Sequence, residues 1–110
     1  MPERDWRLLV SDILDCINKV EKYISGMNYD EFINDDKTID AVIRNFSIIG
    51  EAANRIPIEN KKLNSDIDWV KIVGLRNRII HDYFGVDLEI IWYIIQNELK
   101  ILESELRKII

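Results

Sequence analysis

Four residue types are scarce in this chain: one cysteine, one histidine, two prolines and four glycines in 110 residues. A lone Cys16 cannot close an internal disulfide, which excludes a disulfide-stapled scaffold and fits a reducing, cytoplasmic setting. Its neighbours Ile13, Leu14 and Ile17 make it a buried structural thiol rather than a reactive one. No paired cysteine or histidine spacing of a metal site occurs, and no glycine-rich phosphate loop. With so little proline and glycine, long regular elements are expected. No apolar run approaches the roughly 18 residues of a membrane span; the longest, Ile90 to Ile95, is bracketed by Glu89 and Gln96. The opening Met-Pro-Glu-Arg-Asp-Trp lacks the basic and apolar regions of an export signal.

Charge is plentiful but one-sided. Twenty acidic residues face fifteen basic ones, a net −5 that disfavours unspecific attraction to nucleic acid. The segment from Trp69 to Phe84 is the exception. Lys71, Arg76 and Arg78 outnumber Asp82 there, a local +2 that leaves −7 for the rest.

Apolar residues recur at helical spacing almost throughout, and no strand alternation competes with them. Helix one is predicted over about residues 3–25, with Trp6, Leu9, Val10, Ile13, Ile17, Val20 and Ile24 inward and Gly26 as its stop. Tyr29 to Ile33 forms a short extra helical turn. Helix two follows an Asp35/Asp36 cap, buries Ile39, Val42, Ile43, Phe46, Ile49 and Ala53, and ends near Pro57. A polar connection through Lys61, Lys62 and Asn64 leads to helix three, which starts after Asp66 or Asp68 and continues to about Phe84, with Gly85 as C-cap. Helix four opens at Asp87 and runs to the C-terminus on Leu88, Ile91, Trp92, Ile95, Leu99, Leu102 and Leu106. The expected fold is all-α, an antiparallel four-helix bundle forming a single domain over 1–110.

Helix three breaks the amphipathic rule. At about 100° per residue, Arg76 falls between Trp69 and Ile80 on one side and Ile72 and Tyr83 on the other. A guanidinium there is expected to be surrounded by apolar groups, a costly placement unless it is paired. Asn77 and His81, four apart, share a second face, and Arg78 belongs to a narrow solvated arc with Lys71, Gly74 and Asp82.

These residues read Leu75-Arg76-Asn77-Arg78-Ile79-Ile80-His81-Asp82-Tyr83-Phe84. Arginine, four residues, histidine, one residue and tyrosine resemble the R-x4-H-x-Y signature of HEPN ribonucleases. Trp69 before it, Gly85-Val86-Asp87 after it, and Ile48-Ile49-Gly50-Glu51-Ala52-Ala53 in helix two resemble the HepT branch of that family. The likeness covers essentially the whole chain. It implies a HEPN-type bundle that dimerises so that two motifs meet across the interface and cleave RNA without a metal or other cofactor. It implies further that the chain is the toxin of a type VII-like toxin–antitoxin pair, silenced when a partner nucleotidyltransferase adds AMP to Tyr83.

The residues suit that chemistry. Attack by a 2′-hydroxyl needs a base, an acid for the leaving oxygen and positive charge on the phosphorane. His81 suits either proton role near neutral pH, and Arg76 can grip phosphate with two N–H groups. Asn77 and Arg78 are the expected supporting or RNA-binding residues. Other roles stay open: a histidine near a helix end is favoured by the dipole, and Arg76 could serve a structural ion pair. Asp35, Asp36, Asp66 and Asp68 are helix caps before they are metal ligands. The alternative function is a non-catalytic helical subunit that complements a nucleotidyltransferase and binds nucleotide or phosphate through Arg76.

Overall fold

The computed structural model describes residues 5–81 and 85–110, with His81 described by its backbone. Helix α1 (Trp6–Tyr23) starts where the Asp5 carboxylate accepts the Arg7 N–H. Gly26, at a φ of +78° that disfavours any side chain, turns the chain after α1. Helix α2 (Tyr29–Ile33) is the short extra turn, held by a reciprocal capping box. Glu31 N donates to Asn28 Oδ1 at 2.8 Å and Asn28 N to Glu31 Oε1 at 3.1 Å. Helix α3 (Asp36–Arg55) is capped by Asp35, which accepts the Thr38 N–H. It ends at Ile56, in the extended geometry that a following proline demands.

Helix α3 is the centre of the bundle, packed along α1 on one side. Its buried Ile39, Val42, Phe46, Ile49 and Ala53 recur at three- and four-residue steps and face Val10, Ile13, Ile17 and Val20 of α1. Each fully buried Ile, Val or Phe contributes about 1.5–3 kcal/mol by leaving water. Cys16 is part of this core, and burial pushes its thiol up from the ordinary range. Asn45 is buried too, its amide donating to the Ala41 carbonyl at 2.8 Å.

The connection through Lys61 and Lys62 is helical rather than irregular: α4 (Ile58–Leu63) begins at Pro57, whose fixed φ suits a helix start. Helix α5 (Trp69–Val73) is capped by Asp68, and the Trp69 indole N–H donates to the Asn64 carbonyl at 3.1 Å. Helix α6 (Leu75–Ile79) follows after a break at Gly74.

Here the expectation of one continuous third helix fails. The chain leaves helical geometry at Ile80, with φ −101° and ψ 128°, and forms a two-residue ladder between β1 (Ile80–His81) and β2 (Gly85–Val86). Ile80 is β-branched and gives up little by extending. The ladder then offers backbone partners, Ile80 opposite Val86 and His81 opposite Gly85. The Asp87 N–H closes the turn on the Ile79 carbonyl at 2.7 Å. Gly85 is not a helix C-cap but a strand residue at φ +81°. Helix α7 (Leu88–Asn97) is capped by Asp87, as expected, and α8 (Leu99–Arg107) continues it past a bend. At the bend the Asn97 amide bonds back to the Tyr93 carbonyl, the kind of side-chain competition that bends helices.

The architecture is therefore all-α, four chain segments with the third and fourth each broken once. Helix α8 returns onto α1, while α5 and α6 lie on α3 and α7 packs on α6. Helix α2 is anchored by Phe32 and Tyr29 against Trp92 of α7, at ring-centroid distances of 5.2 and 6.1 Å. Among the described residues no helix is long and apolar enough to cross a membrane.

Candidate active site

Helix α6 has only five residues, and its orientation decides what the motif presents. Leu75 and Ile79, four apart, are the buried pair, and they set α6 against α3. That rotation turns Arg76 and Asn77 outward, and both are exposed. The expectation that Arg76 lies within an apolar arc is corrected accordingly. It assumed one continuous helix from Trp69 to Tyr83, but the break at Gly74 and the extended Ile80 dissolve that common face. Among the described residues, Arg76 has neither a side-chain hydrogen bond nor an ion-pair partner.

Arg78 reverses its expected role as a solvated cation. It is half-buried and grips Glu98 with both terminal nitrogens, Nη1 to Oε1 at 2.9 Å and Nη2 to Oε2 at 2.8 Å. Lys71 of α5 approaches the same carboxylate at 3.3 Å. The bidentate hydrogen bond from Arg78 holds the Glu98 carboxyl below the usual range, and the same bond raises the Arg78 guanidinium. The pair borders a cavity of about 190 Å³ lined also by Ile72, Leu75, Ile94, Leu99 and Leu102. This apolar wall lowers the local dielectric and strengthens the pairing. Glu98 was missed by sequence reasoning. It stands twenty residues from Arg78, and its only local signal is its place beside the inward Leu99.

His81 follows α6 directly in β1, its backbone paired with Gly85. It therefore does not share a helical face with Asn77. Tyr83, the expected site of modification, lies outside the described residues. Among the described residues no three acidic, histidine or cysteine side chains converge as a metal-binding group.

Gly50 is the contact that lets α3 approach this segment. A Cβ there would lie 3.2 Å from the Val73 carbonyl oxygen and 3.5 Å from that of Ile72. The backbones of α3 and α5 thus meet nearly in van der Waals contact immediately before the motif.

The all-α bundle carries Arg76 on a short helix and His81 in the strand directly behind it, in the R-x4-H spacing that resembles HEPN ribonucleases. Residues 13–109 match the family described as Ribonuclease HepT-like. Over 110 residues the chain is 36% identical to a protein of Methanocaldococcus jannaschii named "Putative RNase", covering 100% of this chain and 91% of the relative. It is 33% identical over 107 residues to the "Probable ribonuclease HepT" of Thermococcus cleftensis, 97% of each. A protein of Caldanaerobacter subterraneus subsp. tengcongensis named "Putative RNase" is 34% identical over 96 residues, 87% of this chain and 85% of the relative. No solved structure gives a significant match. The chain belongs to the HepT-like ribonuclease family.

Proposed function

We propose that this chain, acting as one domain over 1–110, is a metal-independent endoribonuclease whose catalytic residues are Arg76 and His81. The observation that carries this reading is Arg76 itself: an exposed guanidinium with no partner among the described residues, one short step before the chain's single histidine. A phosphate on RNA supplies what that guanidinium lacks, with two oxygens for its paired N–H groups. The 2′-oxygen attacks the adjacent phosphorus, a base takes its proton, and the 5′-oxygen leaves with a proton from an acid. The products are a 2′,3′-cyclic phosphate and a 5′-hydroxyl. Histidine suits both proton roles.

One histidine per chain supports a two-fold dimer, in which an isologous interface brings a second His81 to the same cleft. Asn77, exposed beside Arg76, orients the phosphate or His81, and Arg78 supports the motif. The chain would be the toxin of a pair whose nucleotidyltransferase adds AMP to Tyr83. There the tyrosine hydroxyl attacks the α-phosphate of a nucleoside triphosphate and pyrophosphate leaves. The adduct adds bulk and an anionic phosphate, which would compete with RNA for the motif's cations.

The deciding experiment is cleavage of RNA by the purified protein, with product ends identified by mass spectrometry. Cyclic phosphate ends, lost in His81→Ala with the fold intact by circular dichroism, are the expected result. Wild-type binding of nucleotide without any cleavage would favour the non-catalytic binding subunit instead, the reading to which the acidic net charge leans.

A further inference from the structure

We infer that Glu98 is a positioning residue for the motif, sorting its three cations so that Arg76 alone is left to meet phosphate. Three cations stand in the segment that departs from the chain's acidic balance: Lys71, Arg76 and Arg78. Two of them close on one carboxylate, Arg78 by two hydrogen bonds and Lys71 by an ion pair at 3.3 Å. The third has no partner among the described residues. Arg76 thereby keeps an undivided charge, while Lys71 and Arg78 share one carboxylate and a residual charge of +1.

The geometry explains why a clamp is needed here. Helix α6 is five residues long and too short to hold its own orientation. Leu75 and Ile79 press it onto α3 along one stripe and turn Arg76 outward, and α7 packs on α6 as well. Arg78 stands off that stripe, two residues after Arg76 and three before His81. Its planar guanidinium meets the carboxylate with two parallel bonds, so the bond to Glu98 adds a tie on a second face of the helix. Glu98 in turn is fixed from behind, at the bend between α7 and α8, where its N–H donates to the Ile94 carbonyl at 2.9 Å and its carbonyl accepts the Leu102 N–H at 3.0 Å. A half-buried carboxylate on the returning helical arm therefore sets the direction of Arg76 and the height at which β1 presents His81.

The inference rests on the ribonuclease reading for its catalytic consequence, so the experiment has one readout that needs no activity. In Glu98→Gln, kcat for RNA cleavage is expected to fall about 10- to 100-fold, the scale of a small misplacement of catalytic groups. The log–log salt slope of RNA binding should steepen by about one or two, since Arg78 and Lys71 become available to phosphates. The charge-swapped double variant Arg78→Glu with Glu98→Arg should recover most of the rate. Because the chain has a single histidine, the Cε1–H resonance of His81 reports the motif directly and should move in Glu98→Gln whether or not RNA is cut. A wild type that cuts no RNA but shows this movement would sink the ribonuclease reading and leave the clamp standing. Lowered thermal stability with kcat and the His81 resonance unchanged would reduce Glu98 to a structural ion pair and overturn the inference. So would a shallower salt slope in Arg78→Gln, which would make Arg78 itself a phosphate contact. If Glu98→Gln fails to fold, Glu98→Asp provides the same comparison with the charge kept and the reach shortened.

Discussion

Gly50 of α3 lies so close to Val73 of α5 that a single added methyl group would sit 3.2 Å from the Val73 carbonyl oxygen. The atom in the way is backbone, so it can yield only if α5 shifts, and α6 with the motif hangs directly from α5. Alanine would gain about 0.5–1 kcal/mol of helix propensity at this position, against about 1–3 kcal/mol for overpacking. Gly50→Ala is therefore expected to lose about 1 kcal/mol in urea unfolding, and Gly50→Val clearly more. An increase in stability on Gly50→Ala would mean that the two helices part freely.

Arg76 is exposed and unpaired among the described residues, so its removal should cost function and not fold. Arg76→Ala is expected to retain its melting temperature within about 1 °C, since surface substitutions of this kind change stability little. Its RNA cleavage should fall at least ~10²-fold, the scale for losing a group that stabilises transition-state charge. Arg76→Lys should recover only part of that, because an ammonium lacks the two-pronged fit to phosphate. Single-turnover kinetics and thermal melts on the same samples check both halves.

Control through Tyr83 predicts a separation of activity from silencing. Tyr83→Phe should still cut RNA, with at most a modest loss, yet stay active when co-expressed with the nucleotidyltransferase partner. Intact-mass spectrometry should find the AMP increment on wild type and not on Tyr83→Phe. An equal adduct on both, or an adduct on wild type that leaves cleavage undiminished, would refute the mechanism.

Two carboxyls give opposite pH dependences. Glu21 has one oxygen buried without a hydrogen-bond partner among the described residues, and burial followed by the facing Glu103 raises its carboxyl above the ordinary range. A raised folded value means that its favourable contribution is complete below the unfolded value, about 4.3, and is lost as pH climbs through the folded one. Glu21→Gln should therefore raise the melting temperature slightly near about pH 7 and change little near about pH 4. Glu98 is lowered by its hydrogen bonds from Arg78. Its contribution is present above the unfolded value and lost as pH falls through the folded one, so Glu98→Gln should destabilise at neutral pH and flatten the acid limb. Thermal melts of both variants across that range test the signs.

Much of the bundle was already legible in the order of residues. Of the expected Asp35/Asp36 and Asp66-or-Asp68 caps, Asp35 and Asp68 are the ones used. The Asp87 cap and the Tyr29–Ile33 turn agree, and the expected stripes of α1, α3, α7 and α8 are buried save for Trp6, Ile24, Ile43, Leu88 and Trp92, which are partly so. Each is written within about four residues, the reach of one helical turn. The motif spacing from Arg76 to Tyr83 was legible for the same reason, as a local string.

What α6 does with that string was decided elsewhere. Whether Ile80 and His81 continue a helix or extend depends on whether Gly85 and Val86 return to pair with them. Whether Arg76 is enclosed or free depends on which residues of a five-residue helix α3 accepts, and it accepts Leu75 and Ile79. Arg78 looked like a surface cation because its partner lies twenty residues away, on the far side of a turn and a helix. Periodicity reports which face of an element is apolar. It carries no information about which distant carboxylate will stand opposite a given arginine, and only the packed arrangement of α5, α6 and the α7–α8 bend brings Glu98 to that place.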